Sequence, residues 1–331
     1  MPDKFSVAMC TYNGAHYLRE QLDSMAAQER LPDELVICDD GSTDATREIV
    51  TNFTAAAPFP VHFHVNERNL GSTKNFEEAM AFCTGDYIAL SDQDDVWLPA
   101  KLAQLEAEFL RAPNVGLIFT DADLIDEAGR PAGYTLWQKL PLPPTERRRL
   151  RSYTAIDQLL EGSTVTGATM AFRARFKDLV LPIPMDLPII HDAWIAMLVA
   201  SVSAVLPLDQ PLIKYRQHSG QQIGALELKA TAPAHLLAPG SVSDALQRKN
   251  SYSEFLAVAH RVRRRLLDKG DAFSGGQALL RLEARIMHLE ARSSMPPGRL
   301  QRAPRVLREL LTLRYHLYSK GIHSALKDLL A

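Results

Sequence analysis

Five short runs rich in β-forming residues, at 5–10, 34–38, 61–65, 86–90 and 115–120, alternate with stretches of helical period, and that alternation constrains the chain most. It is the pattern of βαβ units and a mostly parallel sheet. Leu18, Leu22 and Met25 fall at i, i+4 and i+7, as do Phe76, Met80 and Cys83. Leu102, Leu105 and Phe109 share one face of a helix expected to begin at Pro99. The predicted class is α/β, a Rossmann-like, mostly parallel sheet flanked by helices.

Between 121 and 153 the pattern dissolves into "GRPAGY" and "LPLPPTERRRLR", which reads as a long irregular acceptor or lid segment. Beyond it we expect a helix near 154–161, a strand at 167–172, a helix at 191–201, and "AVLPLDQPLIKYRQH" as two short extended pieces. The Pro/Ala-rich "TAPAHLLAPGS" at 231–241 reads as a linker. The expected organisation is one domain over 1–230, with a nucleotide-binding half at 1–120 and an acceptor half at 121–230, then a basic helical appendage at 242–331.

Charge divides the same way. Residues 231–331 carry 17 Lys/Arg and 8 Asp/Glu (17 − 8 = +9), so the net charge of −2 leaves −11 for residues 1–230. The basic helices suit an anionic membrane surface or a subdomain with solvated arginines, whereas no nucleic-acid reading motif appears. Cys10, Cys38 and Cys83 stand singly, without CxxC spacing, as reduced core thiols. The start "MPDKFSVAMC" lacks a signal-peptide pattern, and "IAMLVASVSAVL" is well short of the roughly 20 residues that span a bilayer. The expected location is cytoplasmic, with membrane contact peripheral at most.

In open α/β sheets ligands bind at the carboxyl ends of strands. Here those ends are polar: "CTYNG", "CDDGSTD", "NERNLGSTKN" and "SDQDD". Asp39 or Asp40 can accept from a nucleobase or ribose, with Gly41 allowing close approach, although Ser42 as a helix cap would explain part of that stretch. Asp92, Asp94 and Asp95 place three carboxylates within four positions, and such hard oxygen ligands call for Mg²⁺ or Mn²⁺. Asp95 is expected to face the protein or cap the next helix. After a later apolar run, Arg216 and His218 are candidates for the diphosphate and for the leaving phosphate or metal.

"VAMCTYNG", "LVICDDGSTD", "NLGSTKNF" and "SDQDDVWLPAKL" together resemble the inverting family 2 glycosyltransferases of GT-A fold, in particular their bacterial rhamnosyltransferase-like branch, over about residues 5–225. The resemblance implies Thr11, Tyr12 and Asn13 beside the nucleotide, Asp40 with Asp39 at the base or ribose, and Asn69 with Lys74 or Asn75 in the donor pocket. It implies a DxD element in which Asp92 leans to the ribose and Asp94 to the metal. In "PIIHDAWIAML" it implies His191 beside the general base Asp192, with Trp194 on the acceptor side or in the core, and in "GSTVTGATMAF" an acceptor loop with Thr166 and Gly167 below the sugar.

The expected activity is therefore metal-dependent, inverting transfer of a sugar from a UDP- or dTDP-sugar, dTDP-rhamnose among them, to a hydroxyl of a growing surface polysaccharide or lipid-linked glycan. Two other classes compete. A sugar nucleotidyltransferase also uses aspartates and Mg²⁺ but should show a basic glycine-rich loop, and "CTYNGAHYL" has no lysine or arginine. A non-catalytic nucleotide-sugar-binding scaffold would be indifferent to loss of Asp192.

Overall fold

The computed structural model describes residues 3–152, 154–162, 165–221, 242–269, 273 and 276–330. The expected linker at 231–241 lies outside the described residues, as do residues 222–230 before it. Strands β1 (Phe5–Thr11), β2 (Glu34–Asp39), β3 (Val61–Val65) and β4 (Tyr87–Ser91) pair in parallel in the order β3-β2-β1-β4. Helices α1 (Leu18–Ala26), α2 (Thr46–Thr54) and α3 (Ser72–Phe82) make the crossovers. β1, β2 and β4 are buried along their whole length, the reason their central residues are apolar with polar Glu34, Asp39 and Ser91 at the strand ends, whereas the edge strand β3 alternates with polar His62 and His64.

The second half is mixed. β5 (Val96–Trp97) and α4 (Lys101–Arg111) lead into β6 (Val115–Ile125), β7 (Pro131–Thr135), α5 (Leu136–Lys139), α6 (Pro144–Leu150) and α7 (Ala155–Glu161). β8 (Met170–Arg173), α8 (Lys177–Val180), α9 (His191–Val202) and β9 (Ala204–Arg216) follow. β8 joins the halves, antiparallel to both β4 and β6; β9 runs parallel to β6, and β5 antiparallel to β9.

Three local expectations are corrected. Residues 121–152 form regular structure: β6 runs on to Ile125 and turns through Gly129, at φ +77°, into β7. Its polar stretch reads as loop but is satisfied internally, Asp121 Oδ1 accepting from the Ala122 and Trp137 amides at 2.8 and 2.9 Å. "AVLPLDQPLIKYR" forms one strand, not two, because register shifts against β6 absorb residues around its prolines. The expected 167–172 strand begins at Met170 after a 3₁₀ turn at Gly167–Thr169.

Helices Val242–Asp268 and Gly276–Ser293 extend the main core through Val258, Val262, Leu282 and Ile286. Arg281 pairs with Asp157, and Arg261 with Asp186 at 3.0 Å, so part of the basic surface faces the α/β domain rather than solvent. Helices Arg299–Leu311, Arg314–Tyr318 and Ile322–Leu330 close over a second, small core of Val306, Tyr315 and Ala325. Among the described residues no helix is long and apolar enough to cross a membrane.

Candidate active site

A cavity of about 430 Å³ opens where the carboxyl ends of β1, β2 and β4 meet the N-terminus of α9. It gathers Thr11, Tyr12, Asp40, Asn69, Asn75, Asp92 and Asp94 from the first half of the chain, and Thr166, Gly167, His191 and Asp192 from the second. Parallel strands end on one rim, so adjacent registers such as Cys10 opposite Cys38 and Met9 opposite Ser91 bring distant polar loops together.

On the rim nearest β2, Asp40 is buried. Its Oδ1 accepts from Asn66 Nδ2 at 2.9 Å and the Leu70 amide at 2.7 Å, and its Oδ2 from the Gly71 amide at 2.9 Å, which shapes the loop presenting Asn69. Asn75 donates to the Cys38 carbonyl at 2.8 Å and accepts from Asn66. Tyr12 is half exposed, its backbone clasped by both amide atoms of Gln93, at 2.8 and 3.1 Å. A Cβ at Gly14 would lie 2.2 Å from Gln93 Oε1, so a side chain there would push Gln93 off its clasp on Tyr12.

The acidic turn after β4 faces two ways. Asp92 and Asp94 line the cavity, while Asp95 is fully buried, accepting from the Arg216 amide at 3.0 Å through Oδ1 and leaving Oδ2 unpartnered. Burial, then repulsion from Asp94 and Asp192, pushes the Asp92 carboxyl well above the usual range. Burial and the neighbouring Asp94 and Asp92 do the same to Asp95. His218 Nδ1 accepts from the Gly220 amide at 3.2 Å, so Nε2 carries the proton and donates to Asp94 Oδ2 at 2.8 Å.

No three His, Cys, Asp or Glu side chains cluster as a complete metal cage among the described residues. The donor set nevertheless fits a divalent cation shared with a ligand. Two hard carboxylates, Asp92 and Asp94, stand together at the cavity, and Mg²⁺ is commonly held by one or two carboxylates plus substrate phosphates.

Across the cavity Asp192 sits in the first turn of α9. Its Oδ2 accepts from the Gly167 amide at 3.2 Å and its Oδ1 from the Ala193 amide at 2.6 Å. Burial raises its pKa to about 7, the range a general base needs near neutral pH. His191 stacks on Phe76 with ring centroids 4.1 Å apart, and burial lowers its pKa to about 3, so it is neutral.

Six expected site residues lie away from the cavity lining. Asp39 is consumed by its own turn, accepting from Ser42, from Thr11 Oγ1 at 3.0 Å and from Arg47 at 3.3 Å. Asn13, at φ +47°, ties two loops, its amide donating to Ser42 Oγ and its Oδ1 accepting from Thr43. Lys74 pairs with Glu77 and Glu78. His218 lies outside the cavity lining, bonded to Asp94 Oδ2 through Nε2 and to the Gly220 amide through Nδ1.

Arg216, expected at a diphosphate, is turned into the protein here. The side chain is 2% exposed and stacks over Tyr17, and its donors are spent on the Asp94 carbonyl, the Asp126 and Glu127 carbonyls and Glu20. Trp194 is core, not acceptor wall: its Nε1 donates to the Val180 carbonyl at 2.8 Å, and Arg265 covers its ring.

Sequence reasoning missed Lys101, which is fully buried. Its ammonium donates to the Ala168 carbonyl at 2.8 Å and sits 3.8 Å from the centre of the Trp97 ring. Burial lowers its pKa to about 7, against the pull of Asp95 and Asp92. The available signal was a lysine where the α4 pattern places the core face, one residue before Leu102.

Residues 6–180, more than half of the chain, match the sequence model described as "Glycosyl transferase family 2". An uncharacterized glycosyltransferase of Nostoc is 30% identical over 65% of this chain and 65% of its own length. A UDP-Glc:α-D-GlcNAc-diphosphoundecaprenol β-1,3-glucosyltransferase of Escherichia coli, WfgD, is 27% identical over 37% of this chain and 46% of its own length. Against uncharacterized proteins of Mycobacterium that are 30% identical to it, the chain covers 59% of their length. TarS of Staphylococcus aureus, solved with UDP-GlcNAc, superposes with a TM-score of 0.53 at 19% identity, over 95% of this chain and 88% of that one, a likeness of fold.

Proposed function

This chain belongs to glycosyl transferase family 2, and from that premise we propose inverting transfer of a sugar from a UDP- or dTDP-sugar to a hydroxyl of a growing polysaccharide or lipid-linked glycan. The observation that carries the reading is the shared cavity. Asp192, a carboxylate with its pKa near 7, stands in the same chamber as the Asp92–Asp94 pair, so a base and an acidic nucleotide-diphosphate site meet. The sugar–nucleotide names of WfgD and TarS favour a uridine donor; the choice of dTDP-rhamnose rests only on the branch resemblance.

In this reading Thr11, Tyr12, Asn69 and Asn75 surround the nucleotide, and Asp40 uses its remaining lone pair toward it. Asp94, steadied by His218 and helped by Asp92, would hold Mg²⁺ or Mn²⁺, whose chemistry is neutralisation of the departing diphosphate. The Gly167 and Ala193 amides hold the Asp192 carboxylate to receive the acceptor proton as the hydroxyl attacks the anomeric carbon. Thr166 and Gly167 form the sugar-side wall.

The test is calorimetric titration of UDP, dTDP and GDP with and without Mn²⁺, alongside turnover of Asp192→Asn. Cation-dependent binding of one nucleotide, kept in the variant while turnover drops about 10²- to 10⁴-fold, is the expected result. Turnover that survives the substitution overturns the role of Asp192, and binding that ignores the cation overturns the metal site.

A further inference from the structure

Helix Arg299–Leu311 turns Leu300, Leu307 and Leu311 outward at i, i+7 and i+11, one stripe in which Leu300 is 92% exposed. Its other side carries the buried Val306 and Glu309. Helix Ile322–Leu330 repeats the arrangement, with Ile322, Leu326 and Leu330 exposed at i, i+4 and i+8 while Ala325 joins Val306 in the shared small core. Isolated exposed leucines are ordinary; stripes on two packed neighbouring helices are not.

The charges around these stripes have one sign. Residues 299–330 contain seven Arg/Lys and two acids (7 − 2 = +5), and both acids turn inward. Glu309 accepts from His288 at 2.8 Å and pairs with Arg314 at 3.0 Å, and Asp328 pairs with Arg292 and accepts from the Tyr315 hydroxyl at 2.8 Å. Arg299, Arg308, Lys320 and Lys327 have no ion pair among the described residues. The surface is therefore apolar stripes edged by uncompensated cations.

We propose that helices Arg299–Leu311 and Ile322–Leu330 dock on an anionic phospholipid bilayer, the leucines entering the acyl boundary and the cations meeting the headgroups. A second copy of the chain fits less well, because a two-fold contact through the same face would set cation against cation. A nucleic acid would answer the charge and leave the leucines in water. The proposal is independent of the transfer reaction.

It is tested by sedimenting the full chain with vesicles of phosphatidylcholine alone and with vesicles mixed equally with phosphatidylglycerol. The wild type should pellet only with the anionic vesicles and be released by high salt. Leu307→Asp/Leu311→Asp, at exposed positions, should melt like the wild type and bind at least about 10-fold more weakly, and Arg299→Glu/Arg308→Glu should lose the salt-sensitive part. The proposal is overturned if the wild type stays in the supernatant with anionic vesicles, if the leucine variant binds equally well, or if light scattering finds a dimer that the leucine variant dissociates.

Discussion

The Lys101 ammonium donates to the Ala168 carbonyl across 2.8 Å, joining α4 to the 3₁₀ turn whose first residue, Gly167, holds Asp192. The same lysine is the buried cation that draws on Asp92 and Asp95. It connects the acidic turn to the proposed base from outside the cavity lining.

Lys101→Met should therefore destabilise the fold by about 3 kcal/mol, since it strands buried carboxyl groups and an unsatisfied carbonyl. Urea denaturation measures this. The loss should shrink at mildly acidic pH, where Asp92 and Asp95, both with raised pKa, take up protons and no longer need the cation. A variant as stable as the wild type would remove Lys101 from this role.

Arg216→Lys should cost stability much more than donor affinity. Lysine cannot reproduce the planar fork that meets the Asp94 and Glu127 carbonyls, Glu20 and the Tyr17 ring together. A fall in melting temperature with nucleotide Kd within about threefold is expected; breaking such a buried network costs on the order of 3 kcal/mol. A selective loss of nucleotide binding would return Arg216 to the diphosphate.

At Gly167 an added Cβ would lie 3.0 Å from His191 Nε2 and 3.5 Å from Asp192 Cβ. Gly167→Ala should displace the Asp192 carboxylate by a few tenths of an ångström, lowering kcat about 10-fold while donor Kd holds, because positional errors of this kind fall on the reacting geometry. Steady-state kinetics and nucleotide titration separate the two effects.

The pH profile follows from Asp192. With a pKa of about 7, the base is protonated in acid, so kcat/KM should rise with pH through about 7 and level off above it. Stability carries the opposite sign. The folded carboxyl holds its proton more tightly than the unfolded one, so between pH 4 and 7 the native state binds more protons and this group's contribution falls as pH rises. Asp192→Asn should therefore gain thermal stability over the wild type as pH is raised from 5 to 8. Parallel melting curves across that range would refute the shift.

The α/β class and the four parallel strands were legible in the sequence, because a strand buried on both faces must be largely apolar between its ends and a helix between two such strands must show its period. β1, β2, β4 and α3 carry those signatures openly. The cluster of polar loops was legible for a related reason: a parallel sheet puts its strand ends on one side, so "CTYNG", "CDDGSTD" and "SDQDD" had to converge. What tertiary structure alone decided is which member of each loop faces inward. Asp39 and Asp40 are adjacent and identical, yet one is enclosed by Ser42, Thr11 and Arg47 while the other lines the cavity. Arg216, a ligand candidate by chemistry, is buried in a network because Glu20 and two carbonyl-bearing loops reach it from far along the chain. A lysine on an apolar helix face carries no local sign of the aspartates it will be folded against. Periodicity is a property of neighbours in sequence, whereas the partner of a buried charge is chosen by contacts that exist only once the sheet has closed.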